Sequence, residues 1–102
     1  MERIAELSCM VHDEVDGARK YAKRALLAKD LERAQDARTF AEMANQELGH
    51  ADKLHDMATD LISEAKRGGA EVPSGMEKVW GYEHGRIVEE TAAVRSLLQM
   101  LG

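Results

Sequence analysis

The sequence predicts an all-α protein, on three observations. The chain of 102 residues has a single proline, and its Ala, Leu, Glu, Lys, Arg and Met content favours helix over sheet. Apolar residues recur at helical spacing in three long segments. Residues 67–73, with two glycines and the proline, separate the second segment from the third. We therefore expect one domain over residues 1–102, an antiparallel helical hairpin followed by a third helix.

The first helix is predicted from about Ile4 to Lys29, and Asp30 is the candidate cap for the next helix. Glu14 lies near the centre of the apolar stripe of this first helix. Gly17 lowers helix stability and would suit close approach of a neighbouring backbone. The stripe consists of Leu7, Val11, Ala18, Tyr21, Ala22 and Ala25.

The second helix is predicted from about Leu31 to Lys66. Glu47 occupies a central position on its stripe, and His50 lies at the edge. The other stripe positions are Phe40, Met43, Ala44, Ala51, Leu54, Ala58, Leu61, Ile62 and Ala65.

The third helix is predicted from about residue 75 to 101. Ser74 and Glu77 have the spacing of a capping box at its start. Two carboxylates, Glu83 and Glu90, interrupt its stripe. The remaining stripe positions are Met76, Val79, Trp80, Ile87, Val94, Leu97, Leu98 and Leu101.

Composition narrows the possible partners and location. The formal charge is −5 and basic residues are mixed with acidic ones, so we expect no nucleic-acid partner. No apolar run approaches the ~20 residues that span a bilayer, and the first residues lack a signal-peptide core, so no membrane partner is expected. A single cysteine, Cys9, favours a reducing, cytoplasmic setting. The small-residue core favours self-association.

Glu14, Glu47 and His50 form the leading candidate metal site. Each Glu interrupts an apolar stripe, where an uncompensated carboxylate is costly. His50 follows Glu47 by three residues, so both side chains project from one helix face. Iron, manganese and zinc all accept carboxylate and imidazole ligands. The alternative is a pair of structural carboxylates that are neutralised by Arg or Lys or reach water.

Four other residues are weaker metal candidates: Glu83, Glu90, His84 and His55. The two carboxylates could be additional ligands or partners of arginine residues. The two histidines could hold a ligating carboxylate in place. His12 falls off the apolar stripe and is expected to be solvated.

These residues resemble the ligands of the ferritin-like superfamily. Glu14 resembles the single Glu of a di-iron bundle, and Glu47 with His50 resembles its Glu-x-x-His pair. The stretch 47–55, ELGHADKLH, is also similar to the second helix of small ferritin-like proteins of bacteria and phages. The resemblance covers the first two helices well and the third poorly.

The third helix departs from the ferritin-like pattern. Arg86 stands three residues after Glu83, and Ala93 three residues after Glu90, where a second histidine would be needed. The chain thus supplies half of a di-iron site, and the resemblance implies a four-helix bundle completed by dimerisation. Encapsulated ferritins join two half-sites in this way. Residues 97–102 continue the helical pattern and do not indicate a separate shell-targeting tail, which weakens the assignment to encapsulated ferritins.

The resemblance implies an iron-handling protein, with ferroxidase-type oxidation as its candidate enzyme activity. Iron, as a di-iron centre, is the expected cofactor, with manganese or zinc as alternatives. The expected partners are metal ions and a second copy of the chain, in a homodimer or larger homo-oligomer. The competing hypothesis is a non-enzymatic helical structural or interaction module, for example phage- or shell-associated, with a structural metal or none.

Overall fold

A computed structural model of the chain describes residues 2–69 and 74–102, without the side chains of residues 2, 74–77 and 79. The described residues form three α-helices and no strand, so the prediction of an all-α protein is confirmed. The predicted capping box and the stripe positions 76 and 79 lie outside the described side chains. The helices are α1 (Glu2–Asp30), α2 (Ala34–Arg67) and α3 (Ser74–Gln99). They form a rod of 57 × 18 × 18 Å.

A tight turn at residues 31–33 joins α1 to α2 in an antiparallel hairpin. The Arg33 amide donates to the carbonyl of Ala28 at 2.8 Å, and the Glu32 amide donates to that of Lys29 at 3.0 Å. This is the Schellman pattern of helix termination. Glu32 occupies the left-handed position, with φ of 59°, which glycine usually fills and which costs another residue ~1 kcal/mol.

This turn corrects the predicted start of α2. The helix begins at Ala34 rather than Leu31, because residues 31–33 are used to reverse the chain. Asp30 is the last residue of α1 and not the cap of α2, so that prediction is wrong. Arg33 holds the cap position without a side-chain hydrogen bond. The ends of α3 differ from the prediction by one or two residues, as helix ends commonly do.

Small side chains fill the space between α1 and α2. Ala18, Ala22 and Ala44 are fully buried, and such residues let two helix backbones approach closely. Val15 and Leu48 are also buried, although neither belonged to the predicted stripes. The buried positions of α2 are Ala37, Ala44, Leu48, Ala51 and Ala58.

The buried face of α2 is rotated by about 60° from its predicted stripe, at ~100° per residue. The rotation follows from α3, which covers the Leu48 side of the hairpin and buries it together with Val15 and Val94. Phe40, Met43 and Glu47 are therefore only half-buried. They lie along the margin of the hairpin that faces away from α3.

The third helix lies parallel to α1 with a constant offset of 71 residues. His12 pairs with Glu83, and the Lys29 ammonium donates to the Met100 carbonyl at 3.0 Å. Over most of its length α3 stays away from α2. None of the helices in the described part of the chain is long and apolar enough to span a membrane.

Candidate metal centre

Glu14 of α1 meets Glu47 and His50 of α2 at the margin of the hairpin. One ligand atom from each side chain lies within 4.8 Å of the others. The His50 Nδ1 atom is 3.5 Å from Glu14 Oε2 and 3.9 Å from Glu47 Oε1. The antiparallel pairing of α1 and α2 brings Glu14 opposite the Glu-x-x-His pair. The structure therefore brings together the three leading metal candidates.

The Glu47 carboxylate packs directly against Gly17 of α1. A Cβ atom at this position would stand 2.9 Å from Glu47 Oε2, closer than van der Waals contact permits. The sequence indicated a close approach at Gly17, and the approaching group is a carboxylate rather than a neighbouring backbone. The missing side chain lets Glu47 lie flat against α1, directed toward Glu14 and His50.

The two carboxylates are electrostatically unsatisfied. The Oε2 atom of Glu14 is buried and accepts no hydrogen bond. The pKa of Glu47 is raised above its ordinary value of 4.5, chiefly because a hydrogen bond with Glu14 favours the protonated carboxyl. Burial and the charge of Glu14 raise this pKa further, whereas His50 lowers it. A bound cation would remove this repulsion.

The cluster remains open on the side away from α1 and α2. The side chains of Glu14 and His50 are 26% and 55% exposed, and that of Glu47 is 28% exposed. Two carboxylates and an imidazole are ligands that iron, manganese and zinc accept. Three protein ligands leave at least one coordination position for another group.

Apolar side chains border the cluster along α2. They alternate at spacings of three and four residues, the pattern of a helix seam that packs against another helix. Tyr21 of α1 stacks on Phe40 at the edge of this seam, with ring centroids 6.3 Å apart. Met57 is 47% exposed. The seam positions are Phe40, Met43, Glu47, His50, Leu54, Met57 and Leu61.

Glu83 and Glu90 lie in a separate ionic cluster between α1 and α3. Glu83 is hydrogen-bonded to His12, and Glu90 lies 3.8 Å from the Arg19 guanidinium. Arg86 lies 3.8 Å from Glu83 and 3.4 Å from Glu90. These carboxylates already have cationic or hydrogen-bonding partners, so they do not join Glu14, Glu47 and His50.

His55 and His84 form a third group, between α2 and the first turns of α3. The two imidazoles are in direct contact, and His55 also stacks on Trp80. His55 lies about 140° around α2 from His50, at ~100° per residue. Neither histidine therefore faces the Glu14 cluster.

Sequence reasoning missed the role of His12. Its side chain is only 20% exposed and contacts Glu83, so the prediction of a solvated histidine is wrong. His12 lies beside Glu83 because α1 and α3 run parallel with a constant offset. The apolar stripe of one helix contains no information about that offset. The matching spacing of Arg19 from His12 and Glu90 from Glu83 was a usable signal, because seven residues are two helical turns.

No family model, curated protein or solved structure matches this chain significantly.

The raised pKa of Glu47 predicts a pH-dependent stability of the metal-free protein. Because its pKa is raised on folding, Glu47 contributes to the free energy of unfolding fully below its unfolded-state pKa of 4.5. This contribution is lost as the pH rises through the folded-state pKa. Glu47→Gln cannot ionise and escapes this loss. We expect the variant to gain free energy of unfolding relative to the unmodified chain between about pH 4 and pH 7.

Urea unfolding at both pH values with a chelator present measures this gain. The exposed Glu42→Gln substitution on the same helix is the matched control. If the free energies of unfolding of Glu47→Gln and of the unmodified chain differ by the same amount at both pH values, the electrostatic account is contradicted.

Gly17→Ala should separate stability from metal binding. Alanine adds about 0.5–1 kcal/mol of helix stability over glycine, and the metal-free protein can absorb the new methyl by moving the flexible end of Glu47. The displaced carboxylate should weaken metal binding by roughly tenfold. Calorimetric titration with Mn²⁺ and thermal unfolding measure the two effects, with Gly49→Ala as control because a Cβ there has open space. An unchanged Mn²⁺ affinity in Gly17→Ala would show that the close approach of Glu47 to Gly17 does not matter for metal binding.

Proposed function

We propose that this chain is a ferritin-like iron-handling subunit that contributes Glu14, Glu47 and His50 to a di-iron carboxylate centre. The observation that carries the proposal is the convergence of two carboxylates from different helices on one imidazole. One carboxylate oxygen there is buried without a hydrogen bond, and structural carboxylates normally have such a partner.

Charge compensation favours a cation at this position. Among the described residues, no Lys or Arg side chain forms an ion pair with Glu14 or Glu47. The raised pKa of Glu47 reflects a site that resists holding two negative charges. A divalent ion would offset both charges, and its binding would favour the ionised form of Glu47.

A second copy of the chain would complete the centre. The cluster has three protein ligands and an open side, and half-exposed apolar residues extend from it in both directions along α2. Two such faces related by a two-fold axis would bring together four Glu and two His side chains. That is the ligand set of di-iron and di-manganese helical bundles.

Iron oxidation is the activity that we propose for this centre. Ferrous ion is the substrate, and dioxygen or peroxide is the acceptor of its electrons. Carboxylate oxygens stabilise ferric ion more strongly than ferrous ion, because the higher charge interacts more strongly with hard anionic ligands. Glu14 and Glu47 would bind the ion, and His50 would fix its position relative to them.

A structural or interaction role without redox chemistry is the second candidate. The ionic cluster of Glu83 and Glu90 with Arg19 and Arg86 favours it, since carboxylates on an apolar stripe of this chain do serve as ion-pair partners. Such a role predicts an assembly that is unaffected by chelators.

Ferrous oxidation followed by absorbance tests the proposed function. The unmodified chain should bind iron and oxidise it faster than buffer does, whereas Glu47→Ala and His50→Ala should react at the buffer rate. Glu42→Ala, an exposed Glu on the same helix, is the matched control and should behave like the unmodified chain.

Native mass measured with and without iron tests the shared centre. We expect a dimer, or a multiple of it, whose iron content is lost in Glu47→Ala. Oxidation at the buffer rate by the unmodified chain, together with a mass independent of iron and chelator, would contradict the proposal and favour the structural role.

A further inference from the structure

A pair of histidines connects α2 with α3. His55 Nε2 and His84 Nδ1 lie 2.8 Å apart, at one end of a groove of about 310 Å³ between the two helices. Asp52, one turn before His55 on α2, lines the same groove. The hydrogen bond between the two imidazoles links α2 to α3 beside this groove.

The separation of the two nitrogens suits two ligands of one transition metal. Metal–imidazole bonds of 2.0–2.1 Å place adjacent nitrogens of a square-planar shell about 2.8–3.0 Å apart. The observed 2.8 Å falls within that range. A tetrahedral shell would need roughly 3.3 Å by the same bond lengths, so the pair fits the tetragonal geometry of Cu²⁺ or Ni²⁺ better than that of Zn²⁺.

The surroundings of the pair favour a cation. The Asp56 carboxylate is 3.7 Å from His55 Nδ1, so it adds negative charge beside the pair. Asp52 has the same i,i+3 relation to His55 that Glu47 has to His50. Arg95 also lines the groove, but it stands eleven residues beyond His84, about 16 Å along α3.

We propose that His55 and His84 form a second cation site, for an imidazole-preferring divalent transition metal such as Cu²⁺, that fastens the start of α3 to α2. The ion takes the place of the proton shared between the two imidazoles, with water as further ligands. The site lies about 80° around α2 from Glu47 and about 140° from His50, at ~100° per residue, and it does not depend on the proposed iron chemistry.

The single tryptophan reports on this site directly. Trp80 stacks on His55 with ring centroids 5.7 Å apart, and it is the only Trp of the chain. Bound Cu²⁺ quenches indole fluorescence at short range. Titration of the full chain with Cu²⁺ should therefore quench the fluorescence of Trp80 until one ion per chain is bound at this site, and no further.

Variants distinguish this site from the Glu47 cluster. His84→Ala and His55→Ala should each raise the Cu²⁺ concentration at half-maximal quenching by about tenfold or more. Even residues that only support a metal ligand change metal affinity by that much. His50→Ala is the matched control, because it also removes one histidine but from the other face of α2, and its midpoint should be unchanged. Circular dichroism of the metal-free variants checks that their helices are retained.

A second measurement does not depend on these variants. The electron paramagnetic resonance spectrum of the Cu²⁺-loaded chain should show coupling to two imidazole nitrogens and should keep it in His50→Ala. An unchanged quenching midpoint in His84→Ala, or loss of the two-nitrogen signal only in His50→Ala, would overturn the proposal and leave an imidazole–imidazole hydrogen bond. Loss of iron oxidation would not affect this result.

Discussion

The central constraint on this molecule is the placement of two carboxylates side by side between α1 and α2. Glu14 and Glu47 approach each other at the margin of an alanine-lined hairpin, where neither forms an ion pair with Lys or Arg among the described residues. Like charges at short range in a partly buried position oppose folding. The raised pKa of Glu47 is one expression of that cost. In our proposal a metal ion removes it.

The packing of the hairpin serves this placement. Alanine at the helix–helix contact brings the two backbones close, and Gly17 removes the one side chain that would collide with Glu47. The same alanines bury little apolar area, so the core stabilises this hairpin less than a leucine-rich core would stabilise a pair of helices. A half-exposed apolar seam remains beside the carboxylates, on the face away from α3. Burial of this seam by a second copy would add the area that the single chain lacks.

The sequence predicted the fold class and the three-residue cluster because both depend on helical periodicity. The period of α1 and α2 placed Glu14, Glu47 and His50 on facing stripes, and the short turn allowed only an antiparallel pairing. The rotated core of α2 was not predictable, because it depends on which side of the hairpin α3 covers. The start of α2 was also missed, since Glu32 takes a left-handed conformation that usually signals itself through glycine.

The most direct measurement of the central claim is a crystal structure of the iron-grown protein with anomalous scattering recorded at the iron edge. It reports the ion, its ligands and its stoichiometry together. Our account predicts iron between two copies of the chain, held by Glu14, Glu47 and His50 of each. Iron bound by one chain alone, or no iron at these residues, would contradict it.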